Sequence, residues 1–164
     1  IVRLFFAAWP PAESASALEA WARGLDGRVT PAGMIHLTLA FLGVAEPDKA
    51  IGAARRVRAR THRLPIEIAR YWKHNRIVWA GPREIPPELK TLVDALHLEL
   101  YRAEYMLERR PYAAHVTLVR SVRPPAELAP LPPVDWPVRE FSLVRSGVSH
   151  KGASYEVLER FKLA

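Results

Sequence analysis

A chain of 164 residues with 49% hydrophobic side chains suits one domain or a pair of closely packed lobes, burying roughly 70% of the surface its unfolded form exposes. The lack of cysteine excludes disulfides, thiolate nucleophiles, Cys-ligated zinc and iron–sulfur clusters. The formal charge is +7, and only five of the 24 basic residues are lysine; arginine grips phosphate bidentately, so this bias fits a phosphate-bearing partner or simply a genome that favours arginine.

Val2–Trp9 is a nearly continuous apolar run, as a strand buried on both faces would be. It mimics the apolar part of a secretory signal but is too short and ends in Pro10-Pro11. No run approaches the ~18 residues of a membrane helix, so no membrane partner and a cytoplasmic location are expected. Pro10-Pro11 opens a helix with Leu18, Trp21, Ala22 and Leu25 on its apolar stripe, ended by Gly24 and Gly27. Met34–Gly43 alternates as a strand, and Pro47–His62 reads as a second helix. Leu64–Trp72 and Arg76–Gly81 form a hairpin around His74-Asn75. Pro86–Tyr105 is the clearest helix, with Leu89, Leu92, Val93, Leu96 and Leu100 on one face. A strand at Ala113–Val119 precedes a rigid Pro-rich connector, Pro124 to Pro137, and strands near Val138–Val148 and Ser154–Leu163 close the chain. This order predicts an α+β fold, mostly antiparallel sheet with helices outside. Arg56, Arg60 and Arg63 fall on one face of the second helix, either a solvated face or an RNA-gripping one.

Two segments repeat: His36-Leu37-Thr38-Leu39-Ala40-Phe41 and His115-Val116-Thr117-Leu118-Val119-Arg120. In a strand, His36 and Thr38 share a face, as do His115 and Thr117, while Leu37, Leu39, Val116 and Leu118 turn into the core. A duplicated helix-then-strand context implies a pseudo-twofold axis that sets the two His/Thr pairs across one cleft. Two imidazoles with ordinary pKa values of about 6.5 can hold opposite protonation states near neutrality, one accepting and one donating a proton. Two Thr hydroxyls can hold the non-bridging oxygens of a phosphodiester between them. One such tripeptide alone would be an ordinary core or surface histidine; the matched pair points to acid–base chemistry. Zinc is the other reading, but two His leave an ion short of ligands and neither motif has a nearby carboxylate, so no metal and no cofactor are expected. His62, His74, His97 and His150 read as structural or surface residues.

At these residues the sequence resembles the two-histidine (2H) phosphoesterase superfamily, and within it the RNA 2′,3′-cyclic phosphodiesterases, also called 2′-5′ RNA ligases. The likeness runs from Arg3-Leu4-Phe5-Phe6-Ala7 through His36–Gly43, Val78-Trp79, Arg110-Pro111-Tyr112 and Phe141-Ser142-Leu143 to Gly152–Leu158. Ala113-Ala114 and Met34-Ile35 depart from the family's usual residues before each histidine. The resemblance implies a single two-lobed domain over 1–164, with the active site between pseudo-symmetric lobes. It implies metal-independent opening of an RNA or nucleoside 2′,3′-cyclic phosphate to a 2′-phosphate, His36 acting as general acid and His115 as general base. Weak reverse 2′-5′ ligation follows by reversibility. Arg120, five residues after its histidine, would hold phosphate, and Phe41, its counterpart, would stack a base. An odd offset puts both on the wrong face of a regular strand, so a bulge or a strand end is needed. Tyr112 and Tyr155 read as core residues before base-stacking ones. RNA ends or nucleoside cyclic phosphates are the expected partners, and a monomer the expected state. The alternatives are a 2H enzyme for other small cyclic phosphates or 2′-5′ oligonucleotides, and a non-catalytic RNA-binding module.

Overall fold

Five consecutive buried residues, Leu4 to Ala8, make β1 (Val2–Ala8) an interior strand. The computed structural model describes residues 2–150 and 152–164, and β1 is flanked there on both sides by antiparallel neighbours. These are β3 (Leu37–Ala45) and β9 (Glu140–Ser149), and β10 (Gly152–Lys162) extends the sheet to the order β10-β9-β1-β3. A second sheet has the order β2-β7-β6-β5, from β2 (Arg28–Val29), β7 (Val116–Arg120), β6 (Ile77–Gly81) and β5 (Ile68–Trp72). All pairings are antiparallel.

The expected duplication is visible in the connections. β1 leads through α1 (Ala12–Ala22) to β3, and β6 leads through α3 (Pro87–Arg102) to β7. The helices are exchanged: α1 packs against β7 and α3 against β3. Each lobe thus covers the other's motif strand, and one buried cluster runs through both sheets. All five predicted apolar residues of α3 are buried; on α1 Leu18 and Ala22 are buried and Trp21 only partly so, and Leu25, half-buried, lies past the helix end.

Side chains alternate along β1 as the strand geometry requires. Leu4, Phe6 and Ala8 enter the common core, with Phe6 5.9 Å from Phe141 and 6.1 Å from Phe161 between ring centroids. Phe5 and Ala7 enter a smaller cluster with Val144, packed against Trp9, Tyr155 and Val157. That second face becomes a wall of the functional cleft.

Several elements differ from the sequence reading. The second helix, α2 (Pro47–Ala54), stops well before His62. Arg55, Arg56, Arg58 and Arg60 would crowd like charges on successive turns, and the Arg58 guanidinium instead donates to the carbonyls of Arg55 and Val57 at 2.9 and 3.1 Å. Arg56, Arg60 and Arg63 therefore do not share a helical face. His62, expected at the end of the second helix, lies in β4 (His62–Arg63), paired with β8 (Pro137–Val138). The Pro-rich connector is pinned as a rigid loop: the Leu64 N–H donates to the carbonyl of fully buried Trp136 at 2.9 Å, and the Ser14 hydroxyl donates to the Asp135 carbonyl. Among the described residues no helix is long and apolar enough to cross a membrane.

Candidate active site

The two repeated segments fold alike, residue by residue. From Ile35 to Phe41 and from Ala114 to Arg120 the burial runs buried, half-buried, buried, half-buried, buried, buried, exposed. Both histidines stand immediately before their strands, which start at Leu37 and Val116, so the predicted strands began too early. Each is nevertheless fixed in the same way. Nδ1 of His36 lies 2.7 Å from the Met34 carbonyl, and Nδ1 of His115 lies 3.0 Å from the Ala113 carbonyl. A carbonyl only accepts, so both Nδ1 atoms carry hydrogen and Nε2 is the nitrogen each ring leaves for another partner. Two of the positions where the sequence departs from the family it resembles, Met34 and Ala113, thus supply backbone oxygen, which any residue has. A 3-10 turn, Ala32–Met34, presents the Met34 carbonyl, and its first N–H is held by Glu19 Oε2 at 3.2 Å.

The odd offset of Phe41 and Arg120 is resolved by paired bulges. Phe6 pairs with Ala40 and Ala7 with Thr38, leaving Leu39 extra; Val78 pairs with Val119 and Trp79 with Thr117, leaving Leu118 extra. One extra residue resets the alternation, so Phe41 and Arg120 return to the face of Thr38 and Thr117. Each bulge frees a backbone carbonyl, and each finds a donor. The Leu118 carbonyl accepts from the Thr30 N–H at 2.8 Å, and the Leu39 carbonyl from Nε2–H of His97 at 2.8 Å. Tyr112, three residues before His115, donates its hydroxyl to the Thr38 carbonyl at 2.7 Å, and burial pushes its phenol well above the ordinary range. His97 and Tyr112 are both structural, as the sequence suggested, but each braces the first motif from the other lobe. Gly81 is required for a close approach beside the second motif, because a Cβ there would sit 2.6 Å from the Ala114 carbonyl.

The histidines have unlike surroundings. His36 packs against Phe5 and Trp9 at 5.1 Å each, the indole stacked at 28°, and meets the edge of Tyr155 at 5.3 Å. Burial in this aromatic box lowers its pKa; the Met34 carbonyl opposes that, and the positive charges of Arg120 and His115 reinforce it. His115 lies 4.8 Å from Trp72 and 6.3 Å from Trp79.

All six sequence-predicted site residues, His36, Thr38, Phe41, His115, Thr117 and Arg120, line one cleft of about 520 Å³. Among the described residues neither Thr hydroxyl is engaged in a hydrogen bond. No carboxylate lines the cleft, and no cluster of three or more metal-ligating side chains occurs among the described residues. Sequence reasoning missed Arg28, Phe5 and Trp9 around this site and placed Tyr155 in the core, whereas Tyr155 lines the cleft against His36. Only the motif's spacing carried a signal; Arg28, Phe5 and Tyr155 are brought in by β-pairing, and Trp9 directly follows β1.

Two pseudo-symmetric lobes, each offering a His/Thr pair to one cleft, form the architecture of a two-histidine phosphoesterase. The profile of the 2′-5′ RNA ligase superfamily matches residues 10–149. The RNA 2′,3′-cyclic phosphodiesterase of Escherichia coli (strain K12) is 34% identical over 171 residues, covering 98% of this chain and 96% of its own. That of Thermus thermophilus is 31% identical over 180 residues, covering 99% and 90%. The crystal structure of E. coli LigT complexed with 3′-AMP superposes with a TM-score of 0.92 at 31% identity, over 99% of this chain and 98% of that one. The chain belongs to the 2′-5′ RNA ligase superfamily.

Proposed function

We propose that the chain, acting as a single two-lobed unit, hydrolyses RNA or nucleoside 2′,3′-cyclic phosphates to 2′-phosphates without a metal. The observation that carries this reading is the pair of Nε2 atoms, each fixed through Nδ1–H to a carbonyl two residues back, facing one cleft with two open Thr hydroxyls and Arg120. Water attacks phosphorus as His115 Nε2 takes its proton, the P–O3′ bond breaks, and His36 Nε2–H protonates the departing 3′ oxygen. Thr38 and Thr117 hold the non-bridging oxygens while Arg120 neutralises their charge. With a 5′-hydroxyl in place of water as the nucleophile, His115 takes its proton, the P–O3′ bond breaks, His36 protonates the 3′ oxygen, and a 2′-5′ linkage is left.

The order of roles follows the family, because the lowered pKa of His36 taken alone favours it as the base. Substrate supplies what the free cleft lacks. A phosphodiester anion between the imidazoles favours the His36 imidazolium, and the stacked face of Trp9 favours the cation as well.

A nucleoside 2′,3′-cyclic phosphate incubated with the protein in excess EDTA tests the reading. Turnover to the 2′-phosphate, followed by phosphorus NMR, is expected; loss on chelation with rescue by zinc or manganese, or a 3′-phosphate product, contradicts it. Phe41 and Arg120 are the asymmetric pair available to orient the nucleotide. Arg120→Ala is therefore expected to weaken both binding and turnover, and Arg120→Lys to restore only part, since a point charge cannot reproduce a bidentate fork. Unchanged kinetics of Arg120→Ala would remove that residue from the site.

A further inference from the structure

A second guanidinium lies in the cleft beyond the two repeated motifs. Arg28 is on β2, the edge strand outside β7, and its Cα is register-paired with Arg120. Both side chains are exposed, both line the cleft, and no carboxylate does. Among the described residues neither Arg28 nor Arg120 takes part in an ion pair. Asp26, two positions before Arg28, is held by Arg123, whose Nε reaches Oδ2 at 3.0 Å and whose N–H reaches Oδ1 at 3.3 Å. The approach of β2 is tight, because a Cβ at Gly27 would collide with the Arg120 carbonyl. The backbone thus sets Arg28 and Arg120 opposite one another across β2 and β7, and both line the cleft.

In the other lobe the counterpart of Arg120 is Phe41, and its strand β3 is the edge of the sheet, so the charge is one-sided. Arg120 ends the strand that follows His115 and lines the cleft with both histidines. Arg28 stands one strand farther out, about 4.8 Å in the direction away from the histidine strand. The cleft wall continues on that side through Val29, Thr30 and Pro31.

We infer that Arg28 binds the phosphate on the 5′ oxygen of the terminal nucleotide and so selects RNA ends over mononucleotides. This rests on the cyclic-phosphate reading of the same site. A phosphodiester and a 5′-phosphomonoester offer the same chemistry to a guanidinium, and the substrates below separate them.

The test compares kcat/KM for a nucleoside 2′,3′-cyclic phosphate, its 5′-phosphorylated form and a dinucleotide ending in the same cyclic phosphate. Wild-type protein is expected to favour the dinucleotide by about tenfold or more, the worth of a charge-assisted contact. Preference shared by the 5′-phosphorylated form places recognition on the phosphate itself. A preference confined to that form makes the ligand a 5′-monoester and overturns selection of RNA ends. Arg28→Ala should bring the dinucleotide-to-mononucleotide ratio toward one, and Arg28→Lys should recover part of it. The salt dependence of the dinucleotide reaction should fall by about one single-strand phosphate contact. Equal losses on all three substrates, or no wild-type preference, would overturn the inference. If no cyclic phosphate is turned over, the cyclic-phosphate reading fails by itself. Binding of a dinucleotide 2′-phosphate against a nucleoside 2′-phosphate then decides the role of Arg28 with the same variants and the same two outcomes.

Discussion

His36→Ala and His115→Ala are each expected to lower kcat by about 10²–10⁴-fold, the usual worth of a positioned general acid or base. The losses should be similar although the two rings sit in different surroundings, because each step of proton traffic needs both. The double variant should lose little more than the worse single one, since groups that act as a unit are far from additive. His36→Ala also opens a hole among Phe5, Trp9 and Tyr155, so His36→Gln is the control for lost packing. Thermal melts establish that each variant is folded. A folded variant of either histidine with near wild-type turnover would defeat the paired-motif mechanism.

Thr38→Ala and Thr117→Ala are expected to cost at most about 3–4 kcal/mol of transition-state stabilisation, as for one oxyanion donor. The loss should fall on kcat more than on KM, because the hydroxyls are aimed at charge that develops during attack. Serine should restore most activity at either position, since it keeps the donor and removes only a methyl group. A loss seen entirely in KM would place the hydroxyls on the ground-state phosphate instead.

The paired His-x-Thr pattern was legible in the sequence because period-two alternation is strict over three residues. His-x-Thr needs nothing but a strand start to put both side chains on one face, and the repetition removed the ambiguity of a single copy. Beyond Leu39 and Leu118 alternation fails, and nothing in the sequence marks a bulge. The wrong-face offsets of Phe41 and Arg120 required one, and the frozen pattern of two successive buried residues confirms it in both lobes. α3 was legible because five apolar residues repeat over about three turns, whereas α2 was overextended across an arginine run that propensity alone allows to be helical. Strands of two residues, β2, β4 and β8, carry no period at all. Arg28 was invisible for that reason: its place in the cleft comes from pairing with β7, a contact distant in sequence. His97 and Tyr112 look like ordinary residues of a helix and a loop, and only their hydrogen bonds to the carbonyls of Leu39 and Thr38 reveal what they hold.

The central claim is that two imidazoles work in opposite protonation states, and the pH dependence of kcat/KM for wild-type protein tests it most directly. Below the pair's lower macroscopic pKa both rings are charged and no base is left; above the higher one both are neutral and no acid is left. A bell is therefore expected. Burial of His36 in its aromatic box, reinforced by the positive charges of Arg120 and His115 and only partly offset by the Met34 carbonyl, sets the acid limb below the ordinary imidazole value of about 6.5. In kcat, which reports the complex, the bound anion favours the charged ring and the alkaline limb should move up. A bell with those two features is the expected result, and a monotonic profile between about pH 5 and 9, well to either side of an imidazole's ordinary range, would contradict it.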